Sequence, residues 1–159
     1  MSVTANSSAL LTDDVLGTAP PAGRTLFHQL VMEPVVIGVP AIKRIREGIG
    51  VEILRSASSF FGVSQARIQQ ITQVPNSTAA RLERAKARID AAATERIYRM
   101  AAVMKLAADV FENEAAAIAW MCETNPGLGG AAPLDLMDTE PGADSVRLIL
   151  NAIATGGAA

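Results

Sequence analysis

The chain has 159 residues, half of them hydrophobic, with only six aromatics and one cysteine; that length allows one domain or two small helical ones. Its net charge of −2 hides a segregation, +7 over residues 43–105 against −7 over residues 106–159, so the middle suits a polyanion and the end suits a basic protein. Cys122 alone excludes an intramolecular disulfide and fits a reducing cytoplasm, and the scarcity of alternating β-branched runs beside abundant helix formers predicts an all-α protein.

Residues 1–24 are rich in Ser, Thr, Ala, Pro and Gly and read as a mostly disordered arm. No basic stretch leads into an apolar run there, so no signal peptide is expected. The apolar stretch 30–39 is interrupted by Glu33 and Pro34 and is too short to span a bilayer. Residues 26–40 are expected to add a short element packed on the body, with VVIGVP as a brief extended piece. A short helix is predicted over 41–47, ended near Gly48, and a second over 51–61, ended at Gly62.

Residues 64–84 have the pattern of a helix-turn-helix. Ser64 caps a helix of about eight residues with Ile68 and Ile71 inward, and Val74-Pro75 makes the turn. Asn76 or Ser77 is expected to cap the next helix, which continues to about Arg88. That helix would turn Val74, Ala79 and Leu82 inward and present Asn76, Ser77, Ala80, Arg81 and Arg84, with Lys86 and Arg88 extending the basic strip. Asn and Arg suit base edges, and Arg and Ser suit phosphates. The candidate DNA-contacting residues are therefore Asn76, Ser77, Arg81, Arg84 and Lys86. Gln69 and Gln73 depart from the usual pattern, which places a small residue and a Gly there. A helix pair with a solvated basic face is the alternative reading of the same residues.

The next helix is predicted over 94–111, with Ile97, Met100, Ala101, Met104, Ala108 and Phe111 on one face. Residues 114–122 are helical again and place Cys122 beside Trp120 and Met121 as a buried structural thiol. Pro126 stops that helix. Gly129 and Gly130 allow backbone angles closed to other residues, Pro133 suits the first turn of a short helix, and Thr139 can cap the last helix, running to about residue 154. Its apolar residues Val146, Ile149, Leu150 and Ile153 share a face. So shaped and so unreactive a stretch is a binding platform rather than a catalyst.

Enzyme chemistry finds little support. The one His, His28, has no second His or Cys cluster for zinc and no Ser-His-Asp set around it. Gly127-Leu-Gly-Gly130 lacks the ending of a phosphate loop and follows no strand. Asp135 and Asp138 are explained by capping and solvation more simply than by acid–base work. Met32, Met100, Met104, Met121 and Met137 read as core filling. No enzyme, cofactor or metal is expected.

Several motifs stand together in the second half: Arg96 through Phe111, Ala115-Ala-Ala-Ile-Ala-Trp120, Asn125-Pro-Gly-Leu-Gly-Gly130, Pro133-Leu-Asp-Leu136, Asp138-Thr-Glu-Pro-Gly142, and then Val146, Leu150 and Ile153. In order and spacing they resemble the toxin-binding domain of the Xre/MbcA/ParS antitoxin family. The preceding REGIGVEILRSASSFFGVSQARIQQI resembles that family's Xre-like domain, so the likeness covers about residues 46–154. It implies an Xre-like helix-turn-helix domain over 41–93 and a small helical toxin-binding module over 94–159; the partly disordered N-terminal arm over 1–40 that precedes them has no counterpart in the family.

The resemblance also implies a role. Such proteins are antitoxins of type II toxin–antitoxin pairs. Their usual partner is a RES-domain toxin that consumes NAD or transfers ADP-ribose. The antitoxin covers the toxin's active site, and the Xre-like domain binds and represses its own promoter. A homodimer inside a larger complex, a cytoplasmic location and no membrane partner are expected. A basic NAD cleft would receive the −7 module as a mimic of its anionic substrate. The family's tail carries a bulky or charged ending, whereas residues 154–159 here carry neither. Inhibition is therefore expected to rest on Trp120 as module core, on the loop Asn125, Pro126, Leu128, Gly129 and Gly130, and on the exposed side of the last helix at Arg147, Asn151 and Thr155. The other readings that stay open are a helix-turn-helix regulator whose second module only dimerises, and an interaction module that no longer binds DNA.

Overall fold

The computed structural model describes residues 22–157, and every regular element among them is helical. In chain order these are α1 (Ala22–Met32), α2 (Val39–Glu47), α3 (Glu52–Phe61), α4 (Gln65–Thr72), α5 (Asn76–Ala85), α6 (Ala91–Phe111) and α7 (Glu114–Cys122). Two 3₁₀ helices follow, Pro126–Leu128 and Pro133–Asp138, and then α8 (Glu140–Ala154). An isolated bridge between Gly50 and Arg88 is the one β contact among the described residues.

Local chemistry sets most of these boundaries. Ser64 Oγ accepts from the Arg67 N–H at 3.2 Å, Asp90 Oδ1 from Ala93 at 2.7 Å, Asn113 Oδ1 from Ala116 at 2.9 Å, and Thr139 Oγ1 from Gly142 at 3.3 Å. Each contact satisfies one of the donors that a helix start leaves unpaired. Gly62 ends α3 with φ 66°, in the left-handed region.

Four expectations are corrected here. Composition predicts an arm through residue 24, but α1 begins at Ala22; residues 1–21 lie outside the described residues. VVIGVP forms no strand, and its Val39 and Pro40 already belong to α2, where proline suits the first turn. Neither Asn76 nor Ser77 caps α5: Pro75 occupies that position without a side-chain bond, and the helix stops at Lys86, φ 49°, rather than at Arg88. α6 begins at Ala91, capped by Asp90, three residues before the expected start at Thr94.

One continuous apolar core joins both halves of the fold. At one end Phe27 of α1 packs on Phe60 and Phe61 of α3, with ring centroids 5.2 and 5.4 Å away. The Phe27 N–H donates to the buried Ser56 Oγ at 2.7 Å, so the polar groups at this junction are satisfied. α6 runs through the middle and buries Ile97, Met100, Val103 and Met104. At the far end Met121, Leu134, Met137, Val146 and Leu150 fill the space beneath α8. Four of the five methionines expected in the core are there, where their flexible side chains fill irregular gaps. Met32 instead lies on the surface, at the end of α1.

Candidate functional site

The helix-turn-helix is built as the sequence predicts. α4 and α5 are joined by Gln73, Val74 and Pro75, with Val74 and Ala79 buried and Leu82 partly buried. Ala79 is the one fully buried residue of α5, so the helix stands proud of the body. Asn76, Ser77, Ala80, Arg81, Arg84 and Lys86 are all exposed. Ser77, Arg81 and Arg84 recur at helical spacing and share a face. Among the described residues Arg81, Arg84 and Lys86 form no ion pair, whereas Arg55 nearby is held by Glu83 at 3.2 Å. Three unneutralised cations on a projecting helix are available to phosphates and base edges.

The two departures from the usual pattern have physical accounts. Gln69 Nε2 reaches Asn76 Oδ1 at 3.5 Å across the turn. Gln73 adopts the left-handed conformation, φ 58°, that glycine would normally supply. Its Oε1 accepts from Arg96 Nη2 at 3.1 Å, and Arg96 also donates to the Thr72 carbonyl at 3.3 Å and the Asp138 carbonyl at 3.1 Å. One guanidinium thus ties the turn to the residue just before the cap of α8.

Two further arginines reinforce this junction. Arg67 of α4 grips both carboxylate oxygens of Asp135, at 2.7 and 3.0 Å. Arg99 donates to the Met137 carbonyl at 3.0 Å and to Glu140 at 2.7 Å. Asp135, expected to be explained by capping or solvation, is instead part of this clamp. Replacing Arg96 with Ala removes a charged donor from two carbonyls, and the expected loss is about 1–2 kcal/mol of stability. A urea titration checks it: the midpoint should fall with an unchanged slope.

The second surface lies on the α8 side. Asn125 organises the loop: its Oδ1 accepts from the Gly127 N–H at 2.9 Å, its N–H donates to the Ala131 carbonyl, and its carbonyl accepts from Leu128 and Gly130. Pro126 opens the first 3₁₀ helix, and Leu128 is half-buried against the core. Gly129 and Gly130, with φ 66° and 84°, face open space. Gly127 is held close to α8, since a Cβ there would lie 3.2 Å from Ile149 Cδ1. The loop and the last helix therefore form one surface. Trp120 is half-buried against Phe111, 5.7 Å between ring centroids, and the centre of the module is made by Met121, Leu134, Met137, Val146 and Leu150 instead.

On α8 itself Asn151 and Thr155 are exposed, and the Thr155 hydroxyl donates to the Asn151 carbonyl at 3.0 Å. Arg147 is engaged within the chain by Glu140 and Asp144, each at 2.7 Å. Leu148 was not singled out by the sequence, yet it is 70% exposed and shares a stripe with Asn151 and Thr155. Its signal is an apolar residue off the face of Val146, Ile149, Leu150 and Ile153, of which Val146 and Leu150 are buried and Ile153 is itself 41% exposed. The expected acidic face is also modified: Asp135, Glu140 and Asp144 are already paired with arginines, so the outer stripe of α8 is largely neutral.

The Glu140 carboxyl is held below its ordinary 4.5, chiefly by the hydrogen bond from Arg147, against the opposing effect of burial and with a lesser contribution from Arg99. A folded value below the unfolded one means stabilisation that is complete above about pH 4.5 and lost as pH falls through the lowered value. Glu140→Gln should flatten the decline of Tm below that pH, as thermal melts across the acid range would show. The Cys122 thiol is half-buried, donates to the Phe61 carbonyl at 3.7 Å, and is pushed up mainly by burial. It is a protonated, structural thiol rather than a nucleophile. His28 bonds Glu114 at 3.0 Å and ties α1 to α7. Among the described residues no three potential metal ligands gather, and no helix is long and apolar enough to cross a membrane.

A projecting, cationic helix-turn-helix and a shaped, unreactive second surface define a regulatory protein with two binding faces. A model of the antitoxin Xre-like helix-turn-helix domain matches residues 40–102, and a model of the antitoxin Xre/MbcA/ParS C-terminal toxin-binding domain matches residues 106–156. The chain is also 28% identical over 134 residues to the antitoxin Xre of Yersinia enterocolitica serotype O:8 / biotype 1B (strain NCTC 13174 / 8081), covering 84% of this chain and 90% of that protein. The chain belongs to the Xre/MbcA/ParS-type antitoxins, with a DNA-binding helix-turn-helix domain followed by a toxin-binding domain.

Proposed function

We propose that this antitoxin neutralises a RES-domain toxin of a type II pair by covering the cleft in which that toxin handles NAD. The observation that carries the reading is the single surface formed by the Asn125–Gly130 loop and the exposed stripe of α8, within the segment that matches the toxin-binding domain. Contact there is by shape and apolar burial around Leu148, with Asn151 and Thr155 as polar contacts. Trp120 supports the module from behind, and Arg147 holds the start of α8 through Glu140. The −7 charge of residues 106–159 adds long-range attraction to a cationic cleft. The chain acts by binding, without cofactor or metal.

The helix-turn-helix represses the chain's own promoter in the cytoplasm, through Asn76, Ser77, Arg81, Arg84 and Lys86. A homodimer within the toxin complex presents two such helices to the operator. The supporting features are the unpaired cations of α5 and the match to the Xre-like domain. Titrating the chain into an NAD-turnover assay of the toxin encoded beside it tests the first role: stoichiometric inhibition is expected, and undiminished turnover at saturating chain contradicts it. A gel shift with the upstream promoter at two salt concentrations tests the second. A sequence-dependent, salt-sensitive shift is expected, and no shift with or without toxin contradicts it.

A further inference from the structure

α5 is held only lightly by its own packing. Ala79 is its one buried residue, and Asn76, Ser77, Ala80, Arg81, Arg84 and Ala85 are exposed. With so little apolar area buried, packing fixes the direction of the helix weakly, and its two ends must do so. The far end is pinned through the segment that follows it. The Val51 N–H donates to the Ala87 carbonyl at 3.1 Å, the Ile89 N–H to the Ile49 carbonyl at 2.9 Å, and Arg88 Nη1 to the Gly48 carbonyl at 2.7 Å. The near end is the turn Gln73-Val74-Pro75, and it pivots on Gln73. That residue has φ 58° and ψ 35°, a conformation that disfavours any residue with a Cβ.

Arg96 supports this pivot from another helix. Its Nη1 donates to the Thr72 carbonyl, in the peptide unit just before the pivot, and its Nη2 donates to Gln73 Oε1. Its Nε is anchored on the Asp138 carbonyl. The guanidinium is planar, so engaging all three nitrogens fixes its orientation. α6 presents it from a firm base, since Ile97 and Met100 beside it are fully buried. We infer that Arg96 is a positioning residue for DNA recognition: it holds Gln73 in the left-handed conformation and so aims α5 at the groove. This rests on the reading of α5 as the recognition helix. Because its nitrogens are engaged within the chain, the part Arg96 plays is indirect. Base edges demand an accurately aimed helix, whereas attraction to phosphates tolerates a misplaced one. Loss of the fork should therefore lower affinity for the operator and spare affinity for unrelated DNA.

Fluorescence anisotropy tests this with the upstream promoter duplex and a scrambled duplex of the same length. Both are measured at one salt concentration and well below the Tm of each variant. Arg96→Lys keeps the charge and loses the planar fork. Its operator affinity should fall about 10-fold, the scale of an unsupported left-handed residue, with the scrambled duplex bound as before. Gln73→Gly adopts the left-handed turn without help. The Arg96→Lys/Gln73→Gly chain should therefore bind the operator within about 2-fold of Gln73→Gly alone. A purely stabilising Arg96 would change Tm and not the affinity of the folded chain. Arg96→Lys that binds the operator like the unaltered chain, or that loses both duplexes equally, overturns the proposal, and so does a glycine that restores nothing. If Arg96→Lys does not fold, Gln73→Ala decides, since it removes only an exposed side chain. A fall of about 3-fold or more in operator affinity supports the proposal, and an unchanged affinity contradicts it. An unaltered chain with no preference for the promoter over the scrambled duplex overturns the DNA reading itself, and the proposal with it.

Discussion

Leu148→Glu is expected to weaken toxin binding by at least 30-fold while leaving Tm almost unchanged. Leu148 is mostly exposed and contributes little to the core, so the fold does not need it. Its value lies in the complex. A large apolar side chain desolvated at the middle of an interface contributes about 2 kcal/mol or more, which corresponds to about that loss of affinity. A buried glutamate also carries a desolvation cost into the complex. The neighbours on the stripe, Asn151 and Thr155, should matter less, since polar contacts exchange water for protein. Calorimetric or surface-based titration against the purified toxin checks the ordering. Equal losses at Leu148 and Asn151 would mean that the outer stripe is not centred where α8 presents its apolar residue.

The second large effect concerns DNA. Arg81→Ala with Arg84→Ala should reduce operator affinity by about 2–6 kcal/mol, at least roughly 30-fold, at about 1–3 kcal/mol for each arginine that reads a base. The slope of log affinity against log salt should become shallower by about two if both contact phosphate instead. Their exposure and lack of an ion-pair partner among the described residues make this a clean test. Toxin binding should be untouched, because α8 and its loop lie on the other module. Parallel loss of both activities would argue that the two faces are not separable, and the Arg96 bridge would be the first place to look.

Much of this was legible in the sequence because it is local. Ser64 and Thr139 each bond a backbone N–H three residues on, and such contacts follow from residue type and spacing. The stripe of α6 and the inward residues of the helix-turn-helix follow from helical periodicity in the same way. Three features resisted. A short element packed on the body is legible over 26–40, but not that it is a helix starting at Ala22, because its anchor, Phe27, needs Phe60 and Phe61 from a helix some thirty residues away. The arginine clamp was hidden because periodicity says which face a residue occupies and not what it meets; Arg67 reads as solvated until Asp135, 68 positions later, is brought to it. Leu148 is silent in the sequence because periodicity marks the buried face of α8, and this residue lies off it. Gln73 shows the converse: a departure from pattern at the turn is compensated by a partner from another helix.

The central claim is that the α8 and loop surface neutralises a toxin. Co-expression with the product of the adjacent toxin gene, followed by affinity purification, tests it most directly. The unaltered chain should restore growth and co-purify with the toxin, the Arg81→Ala/Arg84→Ala chain should do the same, and the Leu148→Glu chain should do neither. An unaltered chain that neither restores growth nor co-purifies would contradict the account.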